Sequence, residues 1–565
     1  MTNNTISDDE LFNTNSNGLP SISGTQGILR GSLLLYNGRI HTMDPAGTVA
    51  SVLAIKDGTI VYVGNKQQDA LQKGGFTGNQ QPKSINLRNR TVIPGLIDCH
   101  NHIVLFGNRP GYHTPLENAY NISDVQSTYK ARAKDVPPGQ FITTIGGFHP
   151  NQFTEPRLPT LTELDAATPN HPVFISYGFA GPSVTNTLGR TYFTSPSHKN
   201  LTVTIHQPNG SIPTGTETGK ALLLLRRHHL TSADRIRSVR TAMAYALTQG
   251  VTTHLDQGAF QATDTPSDGA ASEDLYTMHD PWLAVYGRGQ GTVRLRINFL
   301  HLDEDVSNPT LDQRLRNTFP FFGNEMVRTG AIGEFAVSLG NYAGGDNNQV
   351  FDSAALKIAR KGWRLEVHSL SSSDFRTQIE AFEKVDRQVT IKKLRWVVAH
   401  VPHITAPYLA RLKALGGGVN LSGWQYLAYT NTSVPAGPPF KTILESGIPA
   451  GMGGDGMNIA PMNPFVHMYY AVTGRNSRGE VINPVGETIS RMEALRLYTS
   501  ANAWFLGGED EGRLGTLEVG RLGDVVVLSG DYFAVGEEEM KRLRSVLTVV
   551  GGVVVYDDLD GGGRG

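Results

Sequence analysis

The feature that most constrains the fold is an alternation through the middle of the chain. Short apolar runs recur between polar, helix-compatible stretches. They read TVIPGLIDCH (91–100), VTTHLD (251–256), RLRINFL (294–300), AIGEFAV (331–337), WRLEVHS (363–369), LRWVVAH (394–400), GGVNLS (417–422) and IPAGMGGD (448–455). Strands that alternate with helices favour a parallel sheet covered on both faces. Eight such units predict an α/β chain closed into a (β/α)8 TIM barrel. The clearest helix covers 232–249, with Ser232 as N-cap, Gly250 after its end, and Ile236, Val239, Met243, Ala246 and Leu247 at helical spacing. The segment at about 104–230 is too long for a barrel loop and is expected to be an inserted cap subdomain.

The ends read differently. Residues 1–27 are rich in Asn, Ser, Thr and Gly and are expected to be flexible. Residues 33–64 carry Asn37-Gly38 and Asp57-Gly58 between short apolar runs, the signature of hairpins in a small antiparallel sheet. The stretch 515–556 has similar β character, so the two ends are placed to pair into one module.

Composition narrows the function. Lys and Arg number 50 against 51 Asp and Glu, which lacks the basic excess of a nucleic-acid binder. The single cysteine, Cys99, rules out a disulfide within the chain. The first residues lack the basic and apolar regions of a signal peptide, and no apolar run is long enough to span a bilayer. The expectation is a soluble cytoplasmic protein with no membrane partner.

The metal-capable residues fall at the ends of the expected strands. His100 and His102 close the first, and residues i and i+2 of an extended chain point the same way, so both imidazoles can reach one ion. Glu334 lies in the fourth strand, His368 and His400 end the fifth and sixth, and Asp455 ends the eighth. A (β/α)8 barrel brings all these ends to one mouth. Each residue alone has an ordinary reading as a turn, cap or solvated side chain. As an ordered set they suit zinc or another divalent ion, one or two per chain. Such an ion makes hydroxide available at neutral pH, and Asp455 can serve as general base and then acid.

At these residues the sequence resembles the amidohydrolase superfamily, in particular its family 3 branch. PGLIDCHNH (94–102) resembles the family's PGxxDxHxH opening, and GVTTHLD (250–256) its GVT motif. RLPTLTELDAATPNHPVFI (157–175), GGDGMNIAPMNPF (453–465) and the closing stretch 492–528 resemble further segments. The resemblance implies a composite β-sandwich from residues 28–90 and 515–560, and a metal-bearing barrel over 91–514. It implies metal ligation by His100, His102, His368, His400 and Asp455, with acid–base work on Asp455. It further implies hydrolysis of a C–N bond other than a peptide bond in a small molecule. Three departures stand out. The fourth strand lacks the family's lysine, so Glu334 is expected to ligate in its place; Ala180-Gly181 replaces a Gly-His; and Gly147-Phe148-His149 replaces a GW-D pattern.

His149 in the expected cap and Trp424, Tyr426 and Tyr429 after the seventh strand are candidates for contacting substrate. His254 and His403 are expected to play supporting or structural parts. Two other functions fit the same residues. One is a non-hydrolytic enzyme, a decarboxylase, dehydratase or isomerase working through an enolate. The other is a binding protein that has lost catalysis, which an intact Asp455 argues against. Oligomeric state leaves no trace in the sequence; analogy with barrel enzymes admits a homodimer.

Overall fold

The computed structural model describes residues 27–561 except 77–81, 179–180, 260–277, 339, 341–347, 428–434 and 458. Residues 1–26, Ala180 and Tyr429 therefore lie outside the described residues.

Eight parallel strands form two four-stranded sheets. One contains β1 (Leu96–Asn101), β2 (Val251–Asp256), β3 (Arg294–Phe299) and β4 (Val327–Ile332). The other contains β5 (Glu366–Ser369), β6 (Val397–His400), β7 (Gly418–Ser422) and β8 (Ala450–Gly453). Strands within each sheet pair in chain order. The sheets meet at a parallel bridge between Ile332 and Leu365. At the opposite edges Asp455, just past β8, donates its amide to the His100 carbonyl at 2.8 Å. Strands covered on both faces have no solvated side, and β2 is buried at all six positions.

Two strand limits differ from the sequence reading. The run 91–101 is two strands: Thr91–Pro94 joins the terminal sheet, and β1 begins after Gly95. A Cβ on Gly95 would sit 2.2 Å from Thr252 Oγ1, so only glycine fits this crossing point. The fourth strand ends at Ile332, and Glu334 lies in the segment that follows. Gly333 breaks the strand with φ +149°, where a Cβ would meet the Glu366 carbonyl at 2.4 Å. The apolar run Phe335-Ala336-Val337 is buried in that loop without being strand.

Both ends of the chain contribute to one eight-stranded sheet. Its order is Val553–Asp557, Ser545–Val550, Val525–Leu528, Thr91–Pro94, Leu33–His41, Val49–Lys56, Thr59–Gly64, with Lys83–Asn86 also on Leu33–His41. The sheet is mixed, because Leu33–His41 pairs in parallel with Lys83–Asn86 and Thr91–Pro94. Asp57-Gly58 forms the expected hairpin turn, with φ of 48° and 82°. Asn37-Gly38 instead sits within a strand, at an irregularity of register between Tyr36 and Ile40.

Between β1 and β2 the chain forms a separate five-stranded sheet, running from Tyr112–His113 to Ser211–Ile212, with flanking helices. It leads into α1 (Ser232–Thr248), whose N-cap is Thr231 rather than Ser232. Thr231 and Asp234 form a capping box, each side chain satisfying the other's backbone N–H. Among the described residues no helix is long and apolar enough to cross a membrane.

Candidate active site

The carboxyl ends of the parallel strands bring the expected residues together. His100 lies in β1 with His102 just beyond it, His368 lies in β5, and His400 ends β6. Glu334 and Asp455 follow β4 and β8. One donor atom each of His100, Glu334, His400 and Asp455 lies within 4.8 Å of the others. His102 Nε2 is 3.2 Å from both Glu334 Oε2 and Asp455 Oδ1. Glu334 Oε1 is 3.1 Å from His400 Nε2 and also contacts His368 Nδ1. All but His368 are buried.

Other parts of the chain fix the rings. His100 Nδ1 donates to Glu366 Oε1 at 2.7 Å, and His102 Nδ1 donates to the Gly258 carbonyl at 2.5 Å. His400 Nδ1 lies 3.1 Å from Ser422 Oγ. With Nδ1 donating outward, it is Nε2 of His100 and His102 that faces the cluster. Glu366 is held by Asn420 Nδ2 at 3.0 Å and by Arg364 at 3.2 Å. His400 and Asp455 also take left-handed backbone, φ 67° and 54°. Such conformations cost about 1–3 kcal/mol each and concentrate where side-chain aim matters.

Electrostatics follow from burial and pairing. Burial opposes charge on His102, but hydrogen bonds to Asp455 and Glu334 outweigh it and raise its pKa well above the ordinary value. On His400 burial prevails and the pKa is lowered. Burial would raise Glu334, yet the neighbouring His368 charge and the hydrogen bond from His102 hold it well below the carboxylate range. The site is thus two carboxylates held as anions among imidazoles.

The donor set fits a divalent cation. His100 Nε2 is buried with no hydrogen-bond partner among the described residues, and it faces Glu334 and Asp455 at 3.8 Å. Imidazole nitrogens with carboxylate oxygens are the donors that zinc and similar ions take.

Comparison with known proteins decides the family. The amidohydrolase family model matches residues 83–556. The chain belongs to the amidohydrolase family. An N-substituted formamide deformylase of Arthrobacter pascens is 23% identical over 563 residues, covering 93% of this chain and 98% of the relative. A metal-dependent hydrolase of Pyrococcus horikoshii superposes with a TM-score of 0.57 at 17% identity, covering 90% of this chain and 99% of that one. Atrazine chlorohydrolase TrzN of Arthrobacter aurescens, complexed with zinc, gives a TM-score of 0.51 at 16% identity, covering 93% and 96%. The family match makes the chain an amidohydrolase enzyme, and the solved structures show its α/β fold.

In this amidohydrolase the group reaching the cluster from the end of β4 is Glu334, not a lysine. The other candidates are not among the residues gathered in the cluster. His149 is half-buried in the inserted segment, where its Nδ1 accepts the Asn151 amide at 3.0 Å and its ring meets Tyr177 edge-on. Tyr426 is buried, its ring edge-on to Tyr469 at 5.9 Å. Trp424 opens the same short turn after β7, its Nε1 buried with no partner among the described residues. His254 is buried and accepts from Asn101 Nδ2 at 2.8 Å; burial lowers its pKa to about 3, so it stays neutral and apart from the cluster. His403 is exposed in the turn after β6.

The sequence reading missed Glu366, Ser422 and Asp98. Asp98 Oδ1 accepts the amides of His100 and Gly454, both at 3.1 Å, tying β1 to the segment after β8. Burial raises its pKa to about 7. The only signal for Glu366 was its place two residues before His368 on the same strand, which sets both side chains on one face.

Proposed function

We propose that this chain is a metal-dependent hydrolase that cleaves a C–N bond other than a peptide bond in a small organic substrate. The eight parallel strands are read as a (β/α)8 barrel, and the segment between β1 and β2 as a cap over its mouth. His100, His102, Glu334, His368, His400 and Asp455 would hold one or two divalent ions, zinc being the first choice. When bound, such an ion acidifies water and polarises a carbonyl.

The chain's own groups do the rest. Asp455 takes the proton of the attacking water and passes it to the leaving nitrogen, as general base and then acid. Glu366 and the Gly258 carbonyl hold His100 and His102 in the tautomer that presents Nε2 to the cluster. His149, Trp424 and Tyr426 are assigned to contact with substrate in this reading. The observation that carries this reading is the convergence of six separately encoded ligand-type residues in one cluster, five of them buried. The curated relative that acts on N-substituted formamides supports amide-type C–N substrates.

The test pairs metal content with turnover on a panel of formamides, N-acyl compounds and cyclic amides. Purified protein is expected to hold one or two divalent ions per chain and to lose turnover on chelation. Asp455→Asn is expected to lower kcat by about 10²–10⁴-fold while the fold persists. Full activity in metal-free protein would sink the proposal.

A further inference from the structure

A cavity that none of the histidine-cluster residues lines lies among three parts of the chain. Its volume is about 290 Å³. Helix α1 supplies one wall, through Met243, Tyr245 and Leu247. The inserted segment supplies His113 and Arg132, and the C-terminal strand Val553–Asp557 supplies Val555 and Tyr556.

The cavity is electrostatically one-sided. Two guanidinium groups line it, Arg132 and Arg240, and no carboxylate does. The Arg132 guanidinium makes no hydrogen bond and no close ion pair with a described residue; it lies over the Tyr112 ring, 5.7 Å from its centre, with Asp135 acting on it only at longer range. Arg240 spends one nitrogen on Gln290 at 2.6 Å and leaves a buried Nε without a partner. His113 is 2% exposed, and neither ring nitrogen has a hydrogen-bond partner among the described residues. Unpaired buried polar atoms cost free energy unless a ligand or water satisfies them. Here three such side chains, His113 and Arg132 from the inserted segment and Arg240 from α1, line a cavity whose remaining lining is largely apolar.

We propose that this cavity binds a small organic carboxylate with an apolar body. The guanidiniums take the carboxylate through charge-assisted hydrogen bonds. His113 adds one further polar contact, and the aliphatic and aromatic walls cover the body of the ligand. The proposal is independent of the reaction at the histidine cluster.

Calorimetric titration of the metal-loaded full chain tests it. Octanoate and phenylacetate are the anionic probes, octylamine and octanol the cationic and neutral counterparts. Saturable binding of a carboxylate, with octylamine and octanol at least tenfold weaker, is expected. The double variant Arg132→Gln/Arg240→Gln should weaken carboxylate binding by about tenfold or more, the loss expected from a charge-assisted hydrogen bond. Ala244→Trp offers a second route, since Ala244 lines the cavity from an exposed helix position where a large side chain can be tolerated. It should block binding in a protein that melts like the wild type. Absence of saturable carboxylate binding, equal binding of octylamine, or octanoate binding unchanged in Ala244→Trp would each overturn the proposal.

Discussion

At the residue scale, Glu334 is the position on which the site turns. One carboxylate lies against His102, His368 and His400, and His100 faces it at 3.8 Å. A carboxylate offers two oxygens, so it can serve two ions or close the shell of one. Glu334→Gln keeps the shape and removes the charge. It is expected to lower metal content by about one ion per chain, measured by elemental analysis after dialysis; unchanged content would remove Glu334 from the ligand set. Under the proposed function, protons compete with the metal at the same nitrogens. The pKa of His102 is raised by Asp455 and Glu334 against the effect of burial, so its proton is held more firmly than an ordinary histidine's. Metal retention should therefore fall as pH drops from 8 to 6, and equal retention across that range would contradict the proton count. The meeting of the HxH pair with Asp455 was legible because their spacing and strand-end positions predict it. Glu366 was not, since nothing in its local sequence distinguishes a buried carboxylate that orients His100 from a solvated one.

At the element scale, the strands were more legible than their limits. β2 covers the expected residues fully, because VTTHLD is short, rich in β-branched residues and bounded by glycine on one side. β4 was placed too late, because AIGEFAV is apolar throughout and burial in a loop gives the same pattern as burial in a strand. The five-stranded sheet of the inserted segment was not resolved into strands at all; its members have only two to four residues. The cap of α1 shifted by one residue, since Thr231 and Ser232 are both good N-caps and only Thr231 has an acidic partner three positions on. Thr231→Ala leaves the Asp234 amide in the first turn of α1 without its acceptor. It should destabilise the chain by about 1 kcal/mol, read as a shift in denaturant midpoint, while Ser232→Ala should be near neutral. The reverse ranking would return the cap to Ser232.

At the scale of the whole molecule, the two ends are tied to the parallel strands by buried charge. Arg294 and Arg296, neighbours on β3, pair with Asp524 at 2.7 Å and Asp510 at 2.6 Å, all buried. Breaking one partner of such a pair costs about 3–5 kcal/mol, because the other charge is left uncompensated. Glu325, just before β4, extends this link to both termini: its carboxylate meets Arg30 at 2.5 Å and also Arg513. Burial would raise its pKa, but the hydrogen bonds and charges of Arg30 and Arg513 lower it from 4.5 to about 2. A carboxyl group with a depressed folded pKa stabilises the protein above its unfolded pKa and loses that contribution as pH falls toward the folded value. Glu325→Gln should thus lower the melting temperature by about 1 °C at pH 7, the modest effect of a partly solvated pair. The difference from wild type should be full above about pH 5 and shrink as pH falls toward 2. A constant difference across that range would mean that Glu325 acts through packing rather than charge, and that the ends are held by the β3 pairs alone.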